Sequence, residues 1–256
     1  MIIGQEHIVK ELTVLAAKVL EGENFAILLR APSGYGKTAL ISFFKSLISS
    51  KDNRVDTIRI NERYKPSYNK VIVVDEVHRY KYFEDFYLSI DMKVNTFLFA
   101  SNMSGNLPEA FRNRCINLYL NHYTLEEIQE IILRNFNFLT PDAAKVVAQA
   151  GRLNPRIAKQ IATRLRNFYR GNTKWDEAQV KDVLSFIKIS LDGMNEADRI
   201  YLSALKDVKR ASLNNILALT GLDRETVLDE IEPFLLKKKL IRITPKGREI
   251  VDDVDY

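Results

Sequence analysis

The stretch "ILLRAPSGYGKTALISFF", Ile27 to Phe44, decides the fold. Its first residues form a short apolar run that reads as a buried strand, and from Ala39 onward the apolar positions recur with helical spacing. Between the two lies a loop with glycines at 34 and 36, followed by Lys37 and Thr38. A strand that passes through such a loop into a helix turns backbone N–H groups and a helix N-terminus toward one point, which is the Walker A arrangement for phosphate. In this reading Ala31, Pro32, Ser33, Gly34, Tyr35, Gly36, Lys37, Thr38 and Ala39 surround the phosphates of ATP. Lys37 reaches the β and γ oxygens, Thr38 holds Mg²⁺ through its hydroxyl, and the two glycines admit a close backbone approach. Ala31 stands where the pattern begins with glycine, and a methyl group is tolerable there if φ stays negative.

A second motif lies about thirty residues on. "VIVVDE", Val71 to Glu76, is an apolar run ending in two carboxylates. This is the Walker B pattern, in which Asp75 holds Mg²⁺ through water and Glu76 polarises the attacking water. The bland alternative, a strand that ends in a solvated acidic turn, loses weight because Walker A lies upstream in the same alternating unit.

Outward from these motifs, residues up to about Leu120 alternate short β-rich runs ("FAILLR", "VDTIRI", "KVIVVDE", "NTFLFAS", "CINLYL") with helical patterns. That is how a parallel sheet covered on both faces reads. From about Tyr123 to Ile189 the pattern is all-helical, with a Thr124/Glu127 capping box, a helix opened by Thr140-Pro141 and closed by Gly151. Beyond Asp192-Gly193, three helical stretches (about 196–206, 212–220 and 223–236) lead into "LIRITPKGREI", two strands about a Pro-Lys-Gly-Arg turn, which reads as a winged helix-turn-helix. The expected organisation is an α/β core at 1–121, an all-α lid at 122–190 and a winged helix at 191–256.

The 256 residues are 46% hydrophobic and 28% charged, ample for packed cores, and no apolar run approaches a membrane span. A cytoplasmic protein with no membrane contact is expected. The single cysteine, Cys115, excludes an internal disulfide and a cysteine-built zinc site and reads as a small buried hydrophobe. Residues 1–120 carry 16 basic against 13 acidic side chains, 121–190 carry 11 against 7, and 191–256 carry 11 against 13. Lys237 to Arg248 nevertheless holds six basic and no acidic residues, opposed by Asp252, Asp253 and Asp255. Lys239, Arg242, Lys246 and Arg248, with Lys237 and Lys238, are therefore candidates for DNA backbone phosphates. The competing reading is that the lysines satisfy the helix C-terminus. "ERYKPSYNK" (62–70) and "HRYKYF" (78–83) interleave aromatic and basic residues that could track a strand inside a ring, although solvated surface is the commoner meaning. His78 reads as a hydrogen-bonding strut and Trp175 as an anchor for the last lid helix.

The order of Ile3-Gly4-Gln5 before the first helix, Walker A, "VVDEVHRY", a strand ending "FASN", then "LPEAFRNRC" and "GRLNPRIAKQIATRLRNFY" resembles an AAA+ ATPase. The tail from "LDGMNEADRIYLSAL" through "LIRITPKGRE" is similar to the winged-helix domain of the RuvB family, whose members drive Holliday-junction branch migration. The resemblance implies that Ile3 lies in the adenine-selective box. It makes Asn102 the sensor-1 residue that orients water with Glu76, Arg156 the sensor-2 arginine, and Arg114 an arginine finger that acts across a subunit seam. A homo-oligomer follows, a hexameric ring in this family.

Two departures matter. About twenty residues separate Glu76 from Phe97, which leaves room for a helix and none for the hairpin that docks RuvA, so a RuvA-type partner is doubtful. The chain also starts at the Ile-Gly-Gln box, without the arm that usually precedes it. The expected function is a ring-forming DNA motor on duplex or branched DNA, in recombination or replication. A helicase loader or replication initiator acting as an ATP switch, with a helicase or recombination partner, is the alternative, ahead of a regulatory ATPase whose winged helix binds protein.

Overall fold

A computed structural model describes residues 2–49, 55–102, 104–171 and 173–251. The acidic end at Asp252, Asp253 and Asp255 lies outside the described residues. The chain divides into two compact units, Met1–Glu127 and Ile128–Tyr256.

In the first unit the five apolar runs become β1 (Ala26–Arg30), β2 (Val55–Thr57), β3 (Val71–Val74), β4 (Thr96–Ser101) and β5 (Ile116–Tyr119). They pair in parallel in the order β2-β3-β4-β1-β5. β1, β3 and β4 lie in the middle, so their side chains are buried on both faces, and this is why they read as unbroken apolar runs. One face packs on α1 (Glu6–Leu20) and α2 (Lys37–Ser49) through Leu12, Leu40, Phe44, Ile27 and Leu98. The other face is aromatic: Phe86 from α3 (Glu84–Asp91) and Phe111 from α4 (Glu109–Asn113) meet Phe97 and Phe99 of β4 at ring separations of 4.8 to 5.6 Å. Cys115 is buried among them, and burial pushes its thiol up to about 12.

α5 (Leu125–Asn135) starts at the end of the first unit and continues into the second, and its first turn carries the expected capping box: Thr124 N–H donates to Glu127 Oε2 at 2.7 Å and Glu127 N–H to Thr124 Oγ1 at 3.2 Å. α6 (Pro141–Ala150), α7 (Pro155–Phe168) and α8 (Glu177–Phe186) follow. Thr140 caps α6, and Gly151 ends it. Trp175 sits ahead of α8, bridged to Leu139 and edge-on to Phe138 and Tyr169.

The winged helix comprises α9 (Glu196–Val208), α10 (Leu213–Thr220), a helix running through α11 (Arg224–Thr226), a π-helical turn Val227–Ile231 and α12 (Glu232–Lys237), and a three-stranded sheet. Pro233 lacks the N–H that would bond back four residues, and the π turn absorbs that loss. β7 (Ile241–Thr244) and β8 (Gly247–Ile250) form the expected hairpin, and β6 (Arg210–Ala211) adds a third strand that two residues of sequence gave no pattern to find. Gly247 is required at its place: with φ +132, a methyl group there would stand 2.5 Å from the Ala211 carbonyl oxygen.

Arg152 ties the helical bundle to the winged helix within this unit. It follows Gly151 in a left-handed conformation, φ 58, as does Leu153, φ 54. Its Nε donates to Gly193 O at 3.0 Å, Nη1 to Glu230 O at 3.1 Å, and Nη2 to Asp198, while Cζ lies 3.8 Å from the Phe234 ring centroid. The two charged side chains are 8% and 0% exposed. Removing one member leaves the other charge buried, so Arg152→Ala is expected to cost about 3–5 kcal/mol of stability, read by chemical denaturation. Pairing it with Asp198→Asn, which removes the stranded charge, should recover part of that loss.

Candidate nucleotide site and winged-helix surface

The glycine loop leaves the end of β1 and enters α2 at Lys37, so the helix N-terminus closes the curl. Ala31 keeps a negative φ, whereas Gly34 and Gly36 sit at φ +83 and +92, where a side chain would strain the backbone. A methyl group at Gly36 would also stand 3.3 Å from Tyr123 Oη. Lys37 is 6% exposed, and its Nζ donates to Ala31 O at 2.8 Å and Pro32 O at 3.0 Å, placing the ammonium inside the curl. β3 lies two strands from β1 and delivers Asp75 beside the loop: Thr38 Oγ1 donates to Asp75 Oδ2 at 3.3 Å. A hydroxyl and a carboxylate side by side at the mouth of a phosphate curl are a hard-oxygen set that suits Mg²⁺.

Glu76 takes a left-handed conformation, φ 52, ψ 40, unusual for a glutamate and a form of local strain that proteins keep at sites of function. Its Oε2 lies 3.5 Å from His78 Nε2, and His78 Nδ1 lies 3.4 Å from Ser101 Oγ at the end of β4. His78 is thus the strut that the sequence suggested, between the carboxylate and the residue preceding Asn102. Asn102 follows β4 directly. The Ile-Gly-Gln box is held by a contact that the sequence did not reveal: Gln5, fully buried, donates from Nε2 to Asn121 O and accepts from Asn121 N–H, both at 2.9 Å. Ile3 is half-buried beside it, and Tyr35, His122 and Tyr123 form an aromatic group at the loop, with Tyr35 Oη 2.8 Å from His122 Nδ1.

Arg114 caps the C-terminus of α4, and Asp91 of α3 holds its guanidinium and raises its pKa through their hydrogen bonds. Arg156 is at the second position of α7, after Pro155 and the Asn154 side chain, which accepts from the N–H groups of Arg156 and Ile157.

On the winged helix the structure corrects part of the expected basic patch. Arg248 is 17% exposed and pairs with Glu232, from Nε at 2.7 Å and Nη2 at 3.2 Å. Glu232 in turn accepts from Tyr201 Oη at 2.9 Å, and burial, with the Glu232 charge beside it, pushes that phenol's pKa up. Arg248 is therefore committed to the Glu232 carboxylate, with little of its side chain exposed. Arg242, 62% exposed, leans its Nε on Glu249 at 2.9 Å, and Arg210 pairs with the same carboxylate. Lys246 is exposed at the hairpin turn, Lys239 follows α12 with φ 58, and Lys238 pairs with Asp192 at 3.1 Å. The helix before the wing is acidic, with Glu225, Asp229, Glu230 and Glu232 against Arg224 and Lys237.

The two arginines hold Glu249 below the ordinary glutamate range, the Arg242 hydrogen bond contributing most. A depressed carboxylate contributes stability above its unfolded value and loses it as pH falls through its folded value. Acid titration followed by circular dichroism should therefore show the winged helix loosening below the ordinary carboxylate range, and Glu249→Gln should flatten that limb. An unchanged acid limb in the variant counts against the clamp.

The aromatic-basic stretches divide as well. Tyr64, Tyr80 and Phe83 are buried in the aromatic core and cannot serve as stacking platforms. Tyr68 and Tyr82 are exposed, and Tyr82 lies under the Arg63 guanidinium.

A parallel sheet in the order β2-β3-β4-β1-β5, with a glycine loop after β1 and an acidic pair after β3, is the core of an AAA+ P-loop protein. The family model for the RuvB C-terminal winged helix domain matches residues 191–253. A Holliday junction branch migration complex subunit RuvB from Parabacteroides distasonis is 28% identical over 295 aligned positions, covering 97% of this chain and 85% of that protein. The corresponding subunit of Staphylococcus haemolyticus is 27% identical and covers 96% and 87%. The structure of the Thermotoga maritima RuvB Holliday junction branch migration motor superposes with a TM-score of 0.82 at 26% identity, covering 98% of this chain and 93% of that one. The chain is a RuvB-like protein. The 295 aligned positions exceed its 256 residues, so the Parabacteroides relative carries insertions that it lacks. Among the described residues, the β3–β4 connection holds a 3₁₀ turn and α3 and no strand.

Proposed function

We propose that this protein is an ATP-dependent DNA motor of the RuvB type, built as a homo-oligomeric ring, with the core at 1–121, lid at 122–190 and winged helix at 191–256. The observation that carries the reading is the adjacency of Thr38 and Asp75 beside the buried Lys37, in a chain that superposes on a branch migration motor over almost its whole length. ATP with Mg²⁺ would supply the phosphoanhydride bond and the charge on which these residues act. Backbone N–H groups from Ser33 to Thr38 and the α2 terminus would bind the phosphates, Lys37 would neutralise the terminal one, and Thr38 and Asp75 would hold the cation. Glu76 would accept the proton of the attacking water at Oε2, oriented by His78 and Asn102. Arg156 would report from the lid, and Arg114 would reach the site of the next subunit in the ring.

DNA contact is assigned to the wing through Lys239, Arg242 and Lys246, because the acidic helix before it would be repelled from a groove. Six or so such copies around a duplex give salt-sensitive, sequence-tolerant binding. A second reading, a helicase loader or initiator, is favoured by the short β3–β4 connection, which offers no hairpin to a RuvA-type partner. ATP turnover with and without duplex, and movement of a four-way junction, separate the two: a motor is stimulated by DNA and moves the branch alone, whereas a loader does neither until a helicase is added. No turnover under any of these conditions ends both readings.

A further inference from the structure

Arg114 carries five N–H donors in a rigid fork, and the structure accounts for three of them. The side-on edge faces Asp91: Nε lies 2.9 Å from Oδ1 and 3.2 Å from Oδ2, and Nη2 lies 3.1 Å from Oδ2. Nη1 donates back to Ala110 O at 3.0 Å. The guanidinium carbon stands over the Tyr87 ring, 4.6 Å from its centroid. The end-on edge, one N–H from each of Nη1 and Nη2, takes no partner among the described residues, and that edge can grip a phosphate with two parallel hydrogen bonds. Tyr87 and Asp91 are four residues apart on α3 and so share one helix face. α3 is the only α-helix in the β3–β4 connection. The neighbouring Arg112 has its Nε buried without a hydrogen-bond partner, whereas three of the donors of Arg114 are engaged.

We infer that Asp91 and Tyr87 are positioning residues for Arg114, holding its guanidinium side-on so that the end-on edge is preset for a phosphate bound by a second copy of this chain. The inference rests on the proposed function, in which Arg114 acts across a subunit seam. Arg114 and Asp91 are 33% and 51% exposed, so their ion pair adds little to stability. Its effect is directional, since a long arginine side chain left to itself spreads over many rotamers that the transition state would have to freeze.

Asp91→Ala should fold with an unchanged melting temperature and an unchanged affinity for ATP, and should lose turnover by about tenfold to thirtyfold, roughly the factor for freezing one such side chain. Asp91→Glu should restore much of it, and Tyr87→Phe, which keeps the ring face, should stay near the parent rate. The decisive readout is subunit mixing. Lys37→Ala subunits keep an intact Arg114 and its clamp, so adding them to Asp91→Ala subunits should raise turnover above that of either alone, and adding Arg114→Ala subunits should not. Parent-level turnover in Asp91→Ala beside a dead Arg114→Ala overturns the clamp and leaves the proposed function standing. A loss in Asp91→Ala that Lys37→Ala subunits do not relieve also overturns it. Full turnover in Arg114→Ala instead overturns the reading on which the inference rests.

Discussion

Arg114→Ala is expected to leave ATP binding intact and to lower turnover by about 10³–10⁵, the range for removing an arginine that neutralises charge in phosphoryl transfer. At about 1.4 kcal/mol per factor of ten, this is about 4–7 kcal/mol of transition-state stabilisation, more than any single surface group contributes to folding. The effect is large because a fixed, always-charged, planar donor would meet developing charge in a site closed from water. It is confined to catalysis because Arg114 lies at the end of α4 with a third of its side chain exposed, away from the buried contacts that hold the sheet. Two measurements check it. Nucleotide affinity should match the parent, and turnover per subunit, which should rise with protein concentration in the parent, should stay flat in the variant. Survival of concentration-dependent turnover removes Arg114 from the seam.

Lys37→Ala should act one step earlier. The ammonium is nearly enclosed, and it can exchange the Ala31 and Pro32 carbonyls for phosphate oxygens with little motion. Two lost charge-assisted hydrogen bonds, at about 1.5–3 kcal/mol each, weaken ATP binding by about 10²–10⁴ and leave no measurable turnover. The variant should remain folded, since α2 is anchored through Leu40, Ile41 and Phe44 on its buried face and not through the lysine. Titration with a fluorescent ATP analogue reads the loss directly, and an unchanged affinity would show that phosphate binds elsewhere. Together the two variants separate holding the nucleotide from using it.

Both sites were legible in the chain to different depths. The nucleotide loop was readable because its chemistry is local: a few consecutive residues determine strand, curl and helix start, and the two glycines are required by their own backbone angles. The same holds for the Thr124 and Thr140 caps, which bond within three residues. What acts on Arg114 was not readable. Asp91 is 23 residues away on a different helix, and nothing in either segment marks them as partners. The wing shows the same limit in the opposite direction. Six basic residues in twelve suggested an open cationic surface, but Glu232 arrives from the preceding helix and Glu249 from the facing strand of the hairpin, and they take Arg248 and part of Arg242 out of it.

The sequence by itself therefore determined the strands of the parallel sheet and of the hairpin, the helices, the glycine loop and the winged helix, because hydrophobic period, capping and glycine placement act over a few residues and need no distant partner. Only the tertiary structure decided which charged side chains reach solvent, as Arg114 does beside Asp91, and which are spent inside, as Arg152 on Asp198 and Arg248 on Glu232. The physical reason is that an ion pair depends on distance and desolvation in three dimensions, and sequence separation carries no information about either.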